Sequence, residues 1–225
     1  MGVRSSTTAA VIDPEPSERL DRVGIPVEID HYIVPGTGGH GRARADALLA
    51  VAGTFGCRVA VYGYNATRND TFLIMVGARP ALDTLELLLP EVAIQMEQAA
   101  RAAVKAYASQ VTSALPQMNA ATQRRVLTRP YFRDFIRGYG FSIAEQIRTL
   151  RAGYIETAGP GLVQVLEASQ ARIEEVFRRD FPDRHPLRKE RGEHRRGLVT
   201  GRTAGQQAGF GDYYLAVHDL VFAAL

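Results

Sequence analysis

The segment Pro130–Arg151 constrains the fold more than any other part of the chain. Its apolar residues Phe132, Phe135, Ile136, Tyr139, Ile143, Ile147 and Leu150 recur in the i, i+3, i+4, i+7 rhythm of a helix with one buried face. At 100° per residue, Arg133, Arg137, Arg148 and Arg151 then fall within about 60° of one another on a different face. Four like charges in one sector repel. They call for compensation by solvent, by acidic neighbours or by an anionic partner.

The chain ahead of this helix has a different period. Ile25–Val34 alternates and is rich in β-branched residues, as a strand requires. Pro35–Gly41 is a glycine-rich loop, and Ala43–Phe55 is a short helix with Ala47, Leu48, Val51 and Phe55 inward. Cys57–Tyr64 and Thr71–Gly77 read as strands joined through the polar turn Asn65–Asp70, a hairpin. Met1–Arg22 is polar, carries Pro14 and Pro16, and is expected to be disordered.

Past Arg79 the pattern becomes helical. Leu85, Leu88, Leu89, Val92, Met96, Ala99, Ala103 and Tyr107 form one apolar stripe, in which Pro90 predicts a kink or a break. Leu115–Arg129 fits no single period. Gly159-Pro160 opens a further helix with Leu162, Leu166, Ile173, Val176 and Phe177 inward. Phe181–His194 is a charged loop, and Arg195–Gly209 forms a last helix. The tail Tyr213–Leu225 is apolar enough to dock on the core, as strand or helix. The fold class expected is α+β: a small, mostly antiparallel sheet near the N-terminus packed on a larger helical body, with residues 23–225 as one domain.

The one cysteine, Cys57, excludes an intrachain disulfide and suits a reducing cytoplasm. No run approaches the ~20 apolar residues of a membrane span, so no membrane partner is expected. The net charge of +3 is unevenly placed: Arg178–Arg202 holds nine Lys/Arg against four Asp/Glu. Arg188, Lys189, Arg195 and Arg196 lie in that stretch, which suits phosphates or an acidic protein surface, or a plain solvated loop.

Several landmarks together resemble a known family. They are Leu48-Leu49-Ala50-Val51-Ala52 followed by Cys57-Arg58-Val59, then Phe135-Ile136 through Ile147, then Val165–Phe177 with Phe181-Pro182, and Gly201–Gly205. In order and spacing this is similar to the C-terminal domain of an uncharacterised bacterial family whose members usually carry a small helical domain upstream. The resemblance spans most of Ile25–Gly209 and implies a shared fold and a bacterial cytoplasm. It implies no chemistry. The upstream helical domain has no counterpart here, so a stand-alone variant or a chain that starts inside a longer protein is expected.

The candidate chemistry is sparse. Gly36–Ala43 sits between a strand and a helix with the G-x-x-x-x-G spacing of a phosphate loop, so Gly39, Gly41 and Arg42 form a candidate anion site. Arg42 and Ala43 replace the lysine and hydroxyl residue of a nucleotide-binding loop, and a flexible connection explains the glycines as well. The five histidines fit no zinc pattern, and Cys57 reads as a buried small residue. Neither cofactor nor metal is expected, and no catalytic residue is assigned. Gly140-x-x-x-Ala144 and Gly201-x-x-x-Gly205-x-x-x-Gly209 allow either close helix packing or a bare strip beside phosphates.

Three readings follow. The first is a non-enzymatic binding module whose Arg133, Arg137, Arg148 and Arg151, with the basic loop, contact nucleic acid. The second is a nucleotide- or phosphate-using enzyme built on Gly36–Ala43. The third is a protein-interaction domain.

Overall fold

The computed structural model describes residues 26–37, 40–158, 160–182 and 194–208. The first strand, β1, spans Val27–Val34 and leads through the glycine loop into α1, Gly41–Ala52. A 3-10 turn, Gly53–Phe55, precedes β2, Arg58–Asn65, and β3, Asp70–Ala78. The helices that follow are α2, Arg79–Ala114; the single turn α3, Ala120–Gln123; α4, Arg129–Ala158; α5, Pro160–Asp180; and α6, Arg195–Gln207. A π-helical turn, Arg124–Thr128, joins α3 to α4. The expected α+β class is the class observed.

The three strands form one antiparallel sheet in the order β1-β3-β2. β2 and β3 are the expected hairpin. Their turn is held by Asn65, whose Oδ1 accepts the N–H groups of Thr67 and Arg68. One face of the sheet presents Val34, Leu73 and Met75 to Leu48 and Val51 of α1 and to Leu82, Leu85 and Leu89 of α2. The other presents Ala60, Ile74 and Val76 to Ile173 and Phe177 of α5. Alternation along β3 therefore serves two cores, as a period of two dictates.

Pro90 does not break α2, which runs unbroken over 36 residues. An interior proline costs about 3 kcal/mol. Burial of Leu85, Leu88, Leu89, Val92 and Met96 on either side outweighs it, at roughly 1.5–3 kcal/mol per side chain. The ambiguous stretch Leu115–Arg129 resolves into a short connection, one α-turn capped by Asn119 and the π-turn.

α4 is the centre of the helical body, held between two helices by small residues. A Cβ on Gly140 would lie 2.4 Å from the Ala47 Cβ of α1, and one on Gly201 of α6 would lie 2.1 Å from the Phe135 carbonyl oxygen. Gly197, Gly201 and Gly205 meet Tyr131, Phe135 and Tyr139 in ascending order, so α6 runs parallel to α4. The small-residue stripes Gly140-x-x-x-Ala144 and Gly201-x-x-x-Gly205 are thus helix contacts rather than an open strip; Gly209 lies outside the described residues. So do the expected disordered start, residues 1–22, and the apolar tail from Tyr213.

Candidate nucleic-acid interface

The four arginines expected on one open face of α4 do not stay together. The contact between Gly140 and Ala47 lays α1 over that sector, and Asp46 comes with it. Arg137 is consequently buried, 6% exposed at its side chain. Its Nε donates to Asp46 Oδ2 at 2.9 Å and its Nη1 to Asp134 Oδ1 at 3.1 Å. Arg151 donates from Nη1 to the Thr54 carbonyl oxygen at 2.6 Å, and burial pulls its pKa below the usual arginine range. Arg137 is thereby withdrawn from an external ligand, and Arg151, half-buried, is tied back to the turn after α1. This corrects the sequence expectation, because periodicity locates a sector but not the helix that covers it. Arg148 is exposed. It lies fifteen residues from Arg133, about 22 Å along the helix axis.

Arg133 belongs to a different group, at the end of the bundle where α2, the π-turn and the start of α6 meet. Between Glu97 and Asp134 the sequence has no acidic residue and six basic ones: Arg101, Lys105, Arg124, Arg125, Arg129 and Arg133. α2 and α4 run antiparallel as a helical hairpin. Tyr107 stacks on Tyr131 at 4.2 Å between ring centroids, and Thr112 and Gln123 bond side chain to side chain across the tip. The hairpin folds that acid-free run into a single projection.

α6 adds its first two residues to this end. His194 caps the helix: its Nδ1 accepts the Gly197 N–H at 3.2 Å, which in the neutral ring leaves the proton on Nε2, donated to the Tyr107 hydroxyl at 2.9 Å. The His194 N–H donates to Asp134 Oδ2. Arg195 and Arg196 emerge from this anchor exposed, with the Arg196 guanidinium 5.4 Å over the Tyr107 ring and its Nη2 donating to Gln110 Oε1 at 2.6 Å. Lys105, Arg124, Arg125, Arg129 and Arg195 are exposed, and among the described residues no carboxylate pairs with them. Arg188 and Lys189 lie outside the described residues.

Lys105, Arg124, Arg125 and Arg129 escaped the reading by periodicity, since the segment around three of them had no period to read. The absence of acid over 36 residues was the available signal. His194 carries no signal in the sequence beyond fitting no zinc pattern. Its neighbours Tyr107 and Asp134 are 87 and 60 residues away in sequence.

The glycine loop has a structural account. A Cβ on Gly36 or Gly41 would fall 1.8 or 2.4 Å from the Asn69 carbonyl oxygen, so both glycines let the hairpin turn pack against the loop. The Gly36 N–H is bound to Asp70 Oδ1 at 2.8 Å. Arg42 pairs with Asp46. Arg44 is buried, bridges to Glu97 through two bonds of 3.0 and 3.1 Å, and holds the Pro35 and Thr37 carbonyls. Arg42 and Arg44 are thus engaged by the protein itself. Gly39 lies outside the described residues. His40, whose ring packs on Phe132, has a pKa lowered to about 4 by burial and then by Arg44, and its buried Nδ1 has no hydrogen-bond partner among the described residues.

Cys57 is buried, and burial pushes its thiol up to about 12. Among the described residues no group of three or more His, Cys, Asp or Glu side chains is placed to hold a metal ion, and no helix is long and apolar enough to cross a membrane. Compared with protein-family models, curated proteins and solved structures, the chain matches none.

Proposed function

We propose that this chain is a nucleic-acid-binding module that grips the phosphate backbone with the basic end of its helical body. The observation that carries the reading is the acid-free hairpin from Gln98 to Arg133, beside which α6 sets Arg195 and Arg196. Arg124, Arg125, Arg129 and Arg195, exposed and without a carboxylate partner among the described residues, are suited to phosphate, which arginine meets in bidentate fashion. From Lys105 to the end of α2 the projection extends about 14 Å. A duplex carries one charge per roughly 1.7 Å of axis, so about eight phosphate charges lie within that reach. Contacts of this kind position a protein on a duplex without reading its sequence.

The reading differs from the arginine-stripe idea in which residues matter. Lys105, Arg124, Arg125, Arg129 and Arg195 act; Arg137 and Arg151 do not. Polarisation titrations with a labelled 20-base-pair duplex and a 20-nucleotide single strand test it. Neutralising five phosphates gives a loss of roughly 500-fold between 50 and 200 mM salt on duplex. Replacing Arg124, Arg125 and Arg129 with Ala should remove about three units of that salt dependence, whereas Arg148→Ala leaves it unchanged. Binding indifferent to salt, or to the triple replacement, rules the proposal out.

A further inference from the structure

β1 is an edge strand, and among the described residues nothing pairs with its outer side. The His31 N–H is bound to Asp30 Oδ1 at 2.7 Å in an exposed position, so it points away from β3. Outward groups alternate along an antiparallel strand. Ile29, His31 and Ile33 therefore carry the open N–H and C=O groups, and their side chains share one face of the sheet. Of seven large apolar side chains exposed on the described surface, four lie on β1 or the adjoining half of α2: Ile29, Ile33, Leu87 and Ile94. Apolar exposure is thus concentrated at this edge. α2 flanks it across a groove of about 490 Å³ lined in part by Asp30, Tyr32, Asp83 and Pro90.

We infer that two copies of this chain join their β1 strands antiparallel about a two-fold axis through His31, making one six-stranded sheet. Among registers centred on the strand, this one alone matches both isoleucines. With His31 opposite His31 of the second copy, each Ile29 stands opposite the other copy's Ile33, and each Asp30 opposite a Tyr32. A centre on Asp30 would oppose two carboxylates. A centre on Ile29 would set Glu28 against Asp30, and one on Tyr32 would set Ile29 against Pro35, which has no N–H. The acidity of the edge is reduced by Arg79, which bonds Glu28 at 3.0 Å and Asp83 at 2.7 Å. Pairing exchanges the bond that the His31 N–H donates to Asp30 Oδ1 for a backbone bond. It is isologous, so it closes at two copies.

Cysteine placement tests both the pairing and its register. Cys57, the chain's one cysteine, is buried and does not compete. On the axis, His31→Cys would face its own copy at a Cα separation of about 5.5 Å, within disulfide range. Under mild oxidation the full-length H31C chain should cross-link at least tenfold faster than D30C. In light scattering after size exclusion, the unaltered chain should form a dimer that dissociates on dilution. Ile29→Lys with Ile33→Lys should shift that midpoint at least tenfold towards monomer. A chain that stays monomeric at several hundred micromolar, or D30C cross-linking as fast as H31C, overturns the inference.

Discussion

Arg137 on α4 and Asp46 on α1 meet at 2.9 Å in a pair that solvent barely reaches, and Asp134 holds the other side of the same guanidinium at 3.1 Å. Asp134 is 1% exposed and also accepts the backbone N–H of His194, so one carboxylate ties α4 to the start of α6. The network joins three helices at one point, with every charge answered by another.

Removing the cation should therefore cost stability rather than binding. Arg137→Ala leaves the buried Asp134 carboxylate without this counter-charge, while Asp46 keeps Arg42. Breaking a buried pair in this way costs about 3–5 kcal/mol. Urea denaturation should show that loss, while the duplex affinity of the folded fraction stays within twofold. A stability loss under 1 kcal/mol would mean that the buried pair is not the joint described.

The α4–α6 contact makes a second, opposite-signed pair of expectations. Gly201→Ala drives a methyl into the Phe135 carbonyl and should destabilise by about 1–3 kcal/mol. Gly153→Ala, in the same α4 but with nothing within 4 Å of the new carbon, should stabilise by roughly 0.5–1 kcal/mol. Thermal melts of the two variants should move in opposite directions.

Much of this frame was legible beforehand. Ile29, Ile33, Leu73 and Met75 announce strands through alternation. Phe132 to Ile147 announces a buried helix face, and Pro160 and Arg195 open helices where they were expected. What could not be read is which neighbour covers which sector. Arg137 and Arg148 lie only about 20° apart in projection. One is enclosed because α1 ends its approach at Gly140; the other stands in water. Pro90 misled because a local cost was outweighed by leucines buried on both sides. The basic end was missed because Arg124, Arg125 and Arg129 sit where π- and α-turns adjoin, a geometry with no simple period.

Acid should weaken the fold through His40. Its folded pKa, about 4, lies below the ordinary 6.5, so the unfolded chain takes up its proton first. The stability the neutral ring contributes is present above about pH 6.5 and is lost as pH falls from there to about 4. Because the ring is only partly buried, screening trims the effect to about 1–2 kcal/mol. Urea midpoints at pH 7 and pH 4.5 should differ less in His40→Gln than in the unaltered chain; equal differences would exclude this histidine as the cause.

Cys57 should be silent to thiol reagents in the native state. Its thiol is held protonated up to about pH 12 by burial between Gly77 and the core. A colorimetric thiol assay at pH 8 should show reaction only in step with unfolding, at least a hundredfold slower than in urea. Immediate stoichiometric reaction would contradict the buried placement.

The parallel course of α4 and α6 has an electrical result that no side chain supplies. Peptide dipoles in each helix leave a fractional positive charge, about half a unit, at the end where the helix begins. The helical run from Ala120 and the run from Arg195 both begin at the end that carries Arg124, Arg129 and Arg196, against one helix, α2, that finishes there. The backbone itself leans positive at that pole, so a variant stripped of its surface arginines should keep a residual, weakly salt-sensitive pull on anions.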